Sequence, residues 1–307
     1  MSPRAGDPPR EEVRVEVDGR TLTLSSLDKV MYPVTGFTKG EVLNYYAQVA
    51  PVMLPHLRDR AVTRIRWPHG VGGESFYEKN APRGAPSWVR TVTVPTSGSR
   101  GASRHGDTLV FPVVDDLATL TWMANLAALE LHVHQWRVGR NGRPRNADRL
   151  VVDLDPGEPA GLGECCRVAL LVAEALAEHD LVVRPVLSGS KGLHLYADLP
   201  SRRPSEAVTA LAKEVADDLA AAHPRLVTAT MTKARRGGKV FLDWSQNAAS
   251  KTTVAPYSLR GRERPRVAAP VTWDEVEAGA EDPLALDQLG PAEVLARVAE
   301  HGDLLRW

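Results

Sequence analysis

Leu150-Val151-Val152-Asp153-Leu154-Asp155-Pro156-Gly157 is the run that decides the fold. Its apolar start reads as a buried strand, and Pro156-Gly157 stops it. Residues two apart on a strand face the same way, so Asp153 and Asp155 share a face, about 7 Å apart, while Leu154 points into the core. Two carboxylates so placed can close on one divalent cation. A strand end with two solvated acids is the plain alternative, and D-x-D alone does not separate the two.

Downstream, the pattern predicts helix 164–179, strand 182–187, a turn at Ser188-Gly189-Ser190-Lys191-Gly192 and strand 193–197. Helix 205–222, strand 239–244 and a short helix near 291–300 follow. Upstream, Val13–Val17 and Thr21–Leu24 alternate about Asp18-Gly19, a hairpin signal. Thr38-Lys39-Gly40-Glu41 is a capping box opening a helix to about Leu54. Strands are expected near 61–66, 89–94 and 108–112, a flexible basic loop over 95–107, and a helix roughly over 116–130. Without a regular βαβ period, the fold class is α+β, mixed β-sheets flanked by helices. A polar, Pro-rich tail (1–12) is expected to be disordered. Residues 13–307 read as one unit with an acidic, helical C-terminus (271–307).

The composition of the 307 residues, 43% hydrophobic and 25% charged, excludes a disordered, collagenous or coiled-coil chain. No run of 18 apolar residues offers a membrane span, and the N-terminus lacks an apolar signal region. Cys165 and Cys166, adjacent and alone, cannot staple a secreted fold or form a zinc cluster, so no zinc is expected. A reduced, cytoplasmic, nucleoid-associated protein is the expectation. The zero net charge conceals an asymmetry. Segment 225–266 carries ten Lys and Arg against Asp243 and Glu263, whereas 271–307 carries two against nine acids. Such a local excess suits a polyanionic partner, although acids folded over it would cancel it.

Two further motifs carry chemistry. In Ser188-Gly189-Ser190-Lys191-Gly192-Leu193-His194, small residues let backbone N–H groups approach an anion and Lys191 adds a point charge. An ordinary hairpin turn is the alternative. In Lys239-Val240-Phe241-Leu242-Asp243-Trp244, the apolar positions 240, 242 and 244 share one face and Asp243 takes the other. Three acids at strand ends, an anion-cradling turn and a basic strip are together what two-metal nucleotidyl transfer needs.

These runs resemble the polymerase module of bacterial DNA ligase D, in the archaeo-eukaryotic primase superfamily. The resemblance extends from about Leu22 to Leu305 and is carried by D-K-V-M-Y-P at 28–33, D-L-D-P-G at 153–157 and S-G-S-K-G-L-H-L-Y at 188–196. T-M-T-K at 230–233, K-V-F-L-D-W-S-Q-N at 239–247 and K-T-T-V-A-P-Y-S-L-R-G-R at 251–262 complete it. It implies a primase-like core in which Asp153, Asp155 and Asp243 hold two divalent ions, Mn²⁺ or Mg²⁺, and His132 lies near the incoming nucleotide. Ser188, Ser190, Lys191 and His194 would bind the triphosphate, with Arg236, Gln246 and Arg260 lining the pocket. Lys29 and Lys39 would hold the 5′-phosphate across a gap, the helix start near Lys39 adding free N–H groups. Phe76 and Tyr77 would stack on the template, although in a strand one of the two should face the core. Arg66 and Lys233 would contact DNA.

The resemblance further implies nucleoside triphosphate substrates (ribonucleotides preferred), filling of short gaps in broken DNA, and the end-binding protein Ku and a DNA ligase as partners. Ser26 and Ile65 depart from the family pattern, where Asn and Lys stand, and this bears on DNA-end recognition. Neither a ligase nor a phosphoesterase motif follows, which reads as a stand-alone polymerase or an excised module. A primer-independent primase and a non-catalytic end-bridging module are the rival functions.

Overall fold

The structure, a computed structural model, describes residues 12–95 and 108–306. The expected disordered tail up to residue 11 and nearly all of the basic loop at 95–107 lie outside the described residues. Glu12, assigned to the tail, instead begins a hairpin strand, Glu12–Val17, that pairs with Arg20–Ser25.

The D-L-D run ends a 13-residue strand, Pro144–Pro156, at the centre of a six-stranded sheet. Antiparallel neighbours are Leu193–Arg203 on one side and Val240–Asp243 on the other. Val183–Leu187 extends the sheet beyond the first, Val227–Thr228 extends it in parallel beyond the second, and Trp136–Val138 pairs with the start of the central strand. The strand reaches back past residue 150 because ladder pairing, not apolarity, carries the polar stretch Pro144–Arg149.

Helices Leu162–Ala177 and Ser205–Ala222 cover the sheet. The first buries Cys165, Cys166, Val168, Ala169, Val172 and Leu176, and a fully buried aliphatic side chain contributes about 1.5–3 kcal/mol. A second, four-stranded sheet runs Thr253–Val254, Ala128–Val133, Val62–Arg66, Phe76–Glu78. Helix Lys39–Leu57 is locked beside it by phenol hydroxyls, Tyr46 donating to Leu129 O (2.6 Å) and Tyr45 to Tyr257 O (2.8 Å). Buried apolar residues form one main cluster reaching from Leu22 to Val294.

The helix expected over 116–130 covers only Leu117–Asn125. Ala127 then takes φ +60, and the chain leaves as strand Ala128–Val133. The acidic C-terminus forms helices Trp273–Glu281 and Pro291–His301. Within the basic segment, Arg266 reaches the tail through Asp287 (3.1 Å). No helix among the described residues is long and apolar enough to cross a membrane.

Candidate active site

Register brings the acids together. Asp243 stands directly opposite Asp153 on one side of the central strand, His194 stands opposite it on the other, and Asp155 lies two residues on, opposite Phe241. Because strand side chains alternate, Asp153, Asp155 and Asp243 emerge on one face. Burial, reinforced by Asp153 and Asp243, pushes the Asp155 carboxyl up to about 6. Gln246 donates to Asp243 Oδ2 (3.0 Å) and to Asp153 Oδ2 at a long 3.5 Å. Ser245 donates N–H and O–H to Asp243 Oδ1 (3.0 and 2.6 Å), and His194 Nε2 lies 3.3 Å from Asp153 Oδ1. Among the described residues no three or more His, Cys, Asp or Glu side chains are already closed about a cation position. The chemistry of the three carboxylates would suit a divalent cation all the same: Asp155 is charge-frustrated, and the group that bridges Asp153 and Asp243 is a neutral amide.

The Ser/Gly turn is shaped from within. Gly189 has φ +66, and a Cβ there would lie 2.5 Å from Arg260 Cγ, so the position needs glycine. Ser188 Oγ accepts the N–H groups of Ser190 (3.2 Å) and Gly192 (3.1 Å). Those two N–H groups therefore do not face an anion, contrary to the sequence expectation. The turn presents instead the Ser190 side chain and the Lys191 ammonium, which is exposed and paired with Glu158 (2.7 Å). His194 is buried, and its Nδ1 has no hydrogen-bond partner among the described residues.

Gly157 brings a second chain segment across the acids. A Cβ at 157 would meet Arg236 O at 2.1 Å, so any side chain would displace that segment. Arg236 donates to Met231 O (2.7 Å) and lies 3.5 Å over the Phe241 ring, facing Asp155 closely enough to oppose the rise in its carboxyl.

Glu130 was missed by the sequence reading and ties the two sheets' functional residues together. It is buried, with His132 Nε2 at 2.8 Å from Oε2, and Gly261 N–H donating to Oε1 at 2.8 Å. Arg260 Nε lies 3.3 Å from Oε1, and the Arg260 guanidinium also donates to Ser188 O. Burial would raise this carboxyl, but His132, Arg260 and Gly261 outweigh it and hold it down at about 2. Burial pulls His132 below its ordinary value, with Glu130 opposing. The detectable signal was E-x-H, two same-face residues of a strand.

Of the residues assigned to DNA, Lys29, Lys39, Arg66, Phe76 and Tyr77 lie far from the acids along the chain, whereas Lys233 is ten residues from Asp243. Phe76 and Tyr77 are both exposed (41% and 57%), so the expectation that one faces the core fails. They sit in a three-residue strand at the edge of the second sheet, and the core covers neither face there. Arg66, opposite Phe76, donates to Leu126 O (2.6 Å) and pairs with Glu78 (3.1 Å). Lys233 is exposed in the turn Lys233–Arg235. The Lys29 ammonium donates to Pro68 O. Lys39 is 5% exposed and donates to Ser25 O (2.6 Å) and Asn125 Oδ1 (2.7 Å). The helix start there does not offer free N–H groups. Lys39 N bonds Lys29 O, Gly40 N bonds Leu27 O and Glu41 N bonds Thr38 Oγ1. Ser26, at φ +54, occupies the left-handed region, which Asn tolerates better than Ser.

Acids gathered by register on a mixed sheet, beside a Ser/Gly turn and two arginines, place the chain in the primase-polymerase class of nucleotidyltransferases. The chain belongs to the family described as LigD, primase-polymerase domain, which matches residues 38–305. It is 51% identical over 289 residues to the multifunctional non-homologous end joining DNA repair protein LigD of Mycobacterium tuberculosis, covering 92% of this chain and 36% of that protein. To the bifunctional non-homologous end joining protein LigD of Bacillus subtilis it is 35% identical over 258 residues, covering 84% of this chain and 40% of that one. The chain therefore spans little more than a third of the length of these relatives. Among solved structures, the polymerase domain from Mycobacterium tuberculosis ligase D in complex with DNA superposes with a TM-score of 0.85 at 51% identity, covering 92% of this chain and 96% of that one.

Proposed function

We propose that this chain adds nucleotides, ribonucleotides by preference, to primer 3′ ends and fills short gaps in DNA broken on both strands, as the polymerase step of non-homologous end joining. The carrying observation is the register that sets Asp243 against Asp153 with a charge-frustrated Asp155 beside them. Asp153, Asp155 and Asp243 would hold two divalent ions, Mn²⁺ or Mg²⁺, which when bound lower the pKa of the attacking hydroxyl and neutralise the leaving pyrophosphate.

The chain's own groups do the rest. Lys191 and Arg236 offset the triphosphate charge, and Ser190 offers a hydroxyl donor. Arg260, anchored on Ser188 O and Glu130, carries a fixed positive charge from the second sheet to the turn. Gln246 steadies two of the carboxylates. Phe76 and Tyr77 offer two open faces for stacking, which accepts any base, while base pairing supplies the template information. Ku and a DNA ligase are the proposed partners in end joining. The test is extension of a gapped duplex with Mn²⁺. Templated addition at a primer 3′ end supports the reading; synthesis that needs no primer, or binding with no addition, would replace it.

Recognition of a 5′-phosphate by Lys29 and Lys39 belongs to the same proposal, and the structure separates the two lysines. Each is expected to erase the preference for gapped DNA carrying that phosphate when changed to Ala, a preference of about 1–3 kcal/mol. Lys39→Ala should in addition lower stability by about 1–3 kcal/mol, because Ser25 O and Asn125 Oδ1 lose a buried donor. Lys29→Ala should leave stability nearly unchanged. Binding with and without the 5′-phosphate, beside thermal melts, checks both. Equal wild-type affinity for the two DNAs would refute end recognition.

A further inference from the structure

The central strand carries charged side chains at both ends. Asp153 and Asp155 lie at its C-terminal end, while Arg145 and Asp148 at its N-terminal end line a groove of about 1060 Å³. Arg145 and Asp153 are eight residues apart on one strand, roughly 25 Å at about 3.3 Å per residue. The groove is thus separate from the acids, and none of the residues assigned to DNA above lines it. Five arginines line it: Arg90, Arg137, Arg140, Arg145 and Arg202.

Its charge is not balanced internally. Asp59 is taken by Arg90 (2.6 Å), and Asp148 is held between Arg60 (2.8 Å) and Arg137 (2.7 Å). That leaves Asp198 as the one remaining carboxylate in the lining, against Arg140, Arg145 and Arg202, which are exposed and have no carboxylate partner among the described residues. A guanidinium presents a planar fork of donors that matches phosphate oxygens two at a time. The apolar lining amounts to Val138, Leu199 and Pro200, without an aromatic ring. A protein segment would find no pocket for anchor side chains, and an unstacked base would find no platform. What such a surface does match is a sugar–phosphate backbone, contacted without regard to sequence.

We propose that this groove is a second DNA-binding site, which grips the phosphodiester backbone of a duplex arm whose end lies at the acidic strand ends. This rests on the polymerase reading for the choice of DNA as occupant. At about 3.4 Å per base pair, the separation corresponds to roughly seven base pairs. Arms shorter than that do not reach the groove; longer ones do.

The experiment compares wild type with the triple variant Arg140→Glu/Arg145→Glu/Arg202→Glu, all exposed positions, after thermal melts confirm that both fold. Binding is measured against salt on gapped duplexes with arms of about five and about twenty base pairs, chosen to fall on either side of that reach. On long arms the triple variant is expected to bind at least about tenfold more weakly. Its log K against log[salt] slope should be shallower by about 2–3, near 0.9 for each phosphate that the variant no longer neutralises. On short arms, affinity and extension should match wild type. Unchanged long-arm binding would overturn the proposal and leave the groove to an acidic protein segment. An equal loss on short and long arms would also overturn it, as a general charge effect. Failure of wild type to extend the short-arm substrate would count against the polymerase reading alone, since the long-arm comparison needs no catalysis. If the triple variant misfolds, Arg140→Gln/Arg202→Gln is measured the same way, with an expected slope change of about 1–2 on long arms only.

Discussion

Changing Asp155 to Ala is expected to abolish nucleotide addition and, in the absence of divalent cation, to make the protein more stable. The two effects share one cause. The fold holds Asp155 in a partly desolvated place beside Asp153 and Asp243, so its carboxyl sits near 6 instead of the ordinary 3.8. A carboxyl raised by folding binds its proton more tightly in the native state than in the unfolded chain. Its stabilising contribution is therefore complete below about pH 4 and is lost as pH rises through about 6. Above that the carboxylate is a cost on the order of 1–3 kcal/mol, which Ala removes. Melts at pH 7.5–8 without cation should show the variant a few degrees higher. Added Mn²⁺ should stabilise wild type, by about 2.7 kcal/mol at a hundredfold excess over Kd, and leave the variant nearly unmoved. Loss of several kcal/mol of transition-state charge stabilisation predicts a fall on the order of a thousandfold or more in extension. DNA binding should persist or tighten, because a negative charge facing phosphate is gone. Extension above about a tenth of wild type, or a variant less stable without cation, would contradict the role given to Asp155.

Glu130→Ala should have the second-largest effect, and mainly on the fold. The carboxylate is buried against His132, Arg260 and the Gly261 N–H. Removing one member of a buried charged set costs about 3–5 kcal/mol, because the others stay buried and unpaired. Glu130→Gln separates folding from function. A neutral amide can still accept from Gly261 N–H and should recover most of the stability. It cannot at the same time accept from His132, and it leaves the Arg260 charge unbalanced. Turnover of the Gln variant is expected to fall about tenfold or more, with a raised KM for nucleotide, since His132 and Arg260 would both be misplaced. A Gln variant with wild-type turnover and KM would show that Glu130 only supports the fold.

The sequence was most legible where one local signal dominated. Helix Ser205–Ala222 has the bounds its pattern predicts, and the apolar run into D-L-D marked the core strand and its exposed acidic end. The carry-over from family motifs placed Asp153, Asp243, Gln246 and His194 together, and the ladder register does bring them within contact. Legibility failed where two periods coincide. Ala128–Val133 satisfies a helical and a strand pattern alike, and reading Glu130 as the end of a helix hid its shared face with His132. Backbone pairing was also invisible. The N–H groups of the Ser188–Gly192 turn and of the Lys39 helix start look available in sequence, yet a hydroxyl and distant carbonyls already take them. The expectation for Phe76 and Tyr77 failed for a different reason: alternation buries one residue in two only where a layer lies on one face, and a three-residue edge strand has no such cover.

The most direct test of the central claim is anomalous diffraction from crystals grown with Mn²⁺ and a non-hydrolysable nucleoside triphosphate. Two manganese peaks about 3.5–4 Å apart are expected, bounded by Asp153, Asp155 and Asp243, with the triphosphate running toward Lys191 and Arg236. Peaks elsewhere, or a triphosphate bound away from those carboxylates, would contradict it.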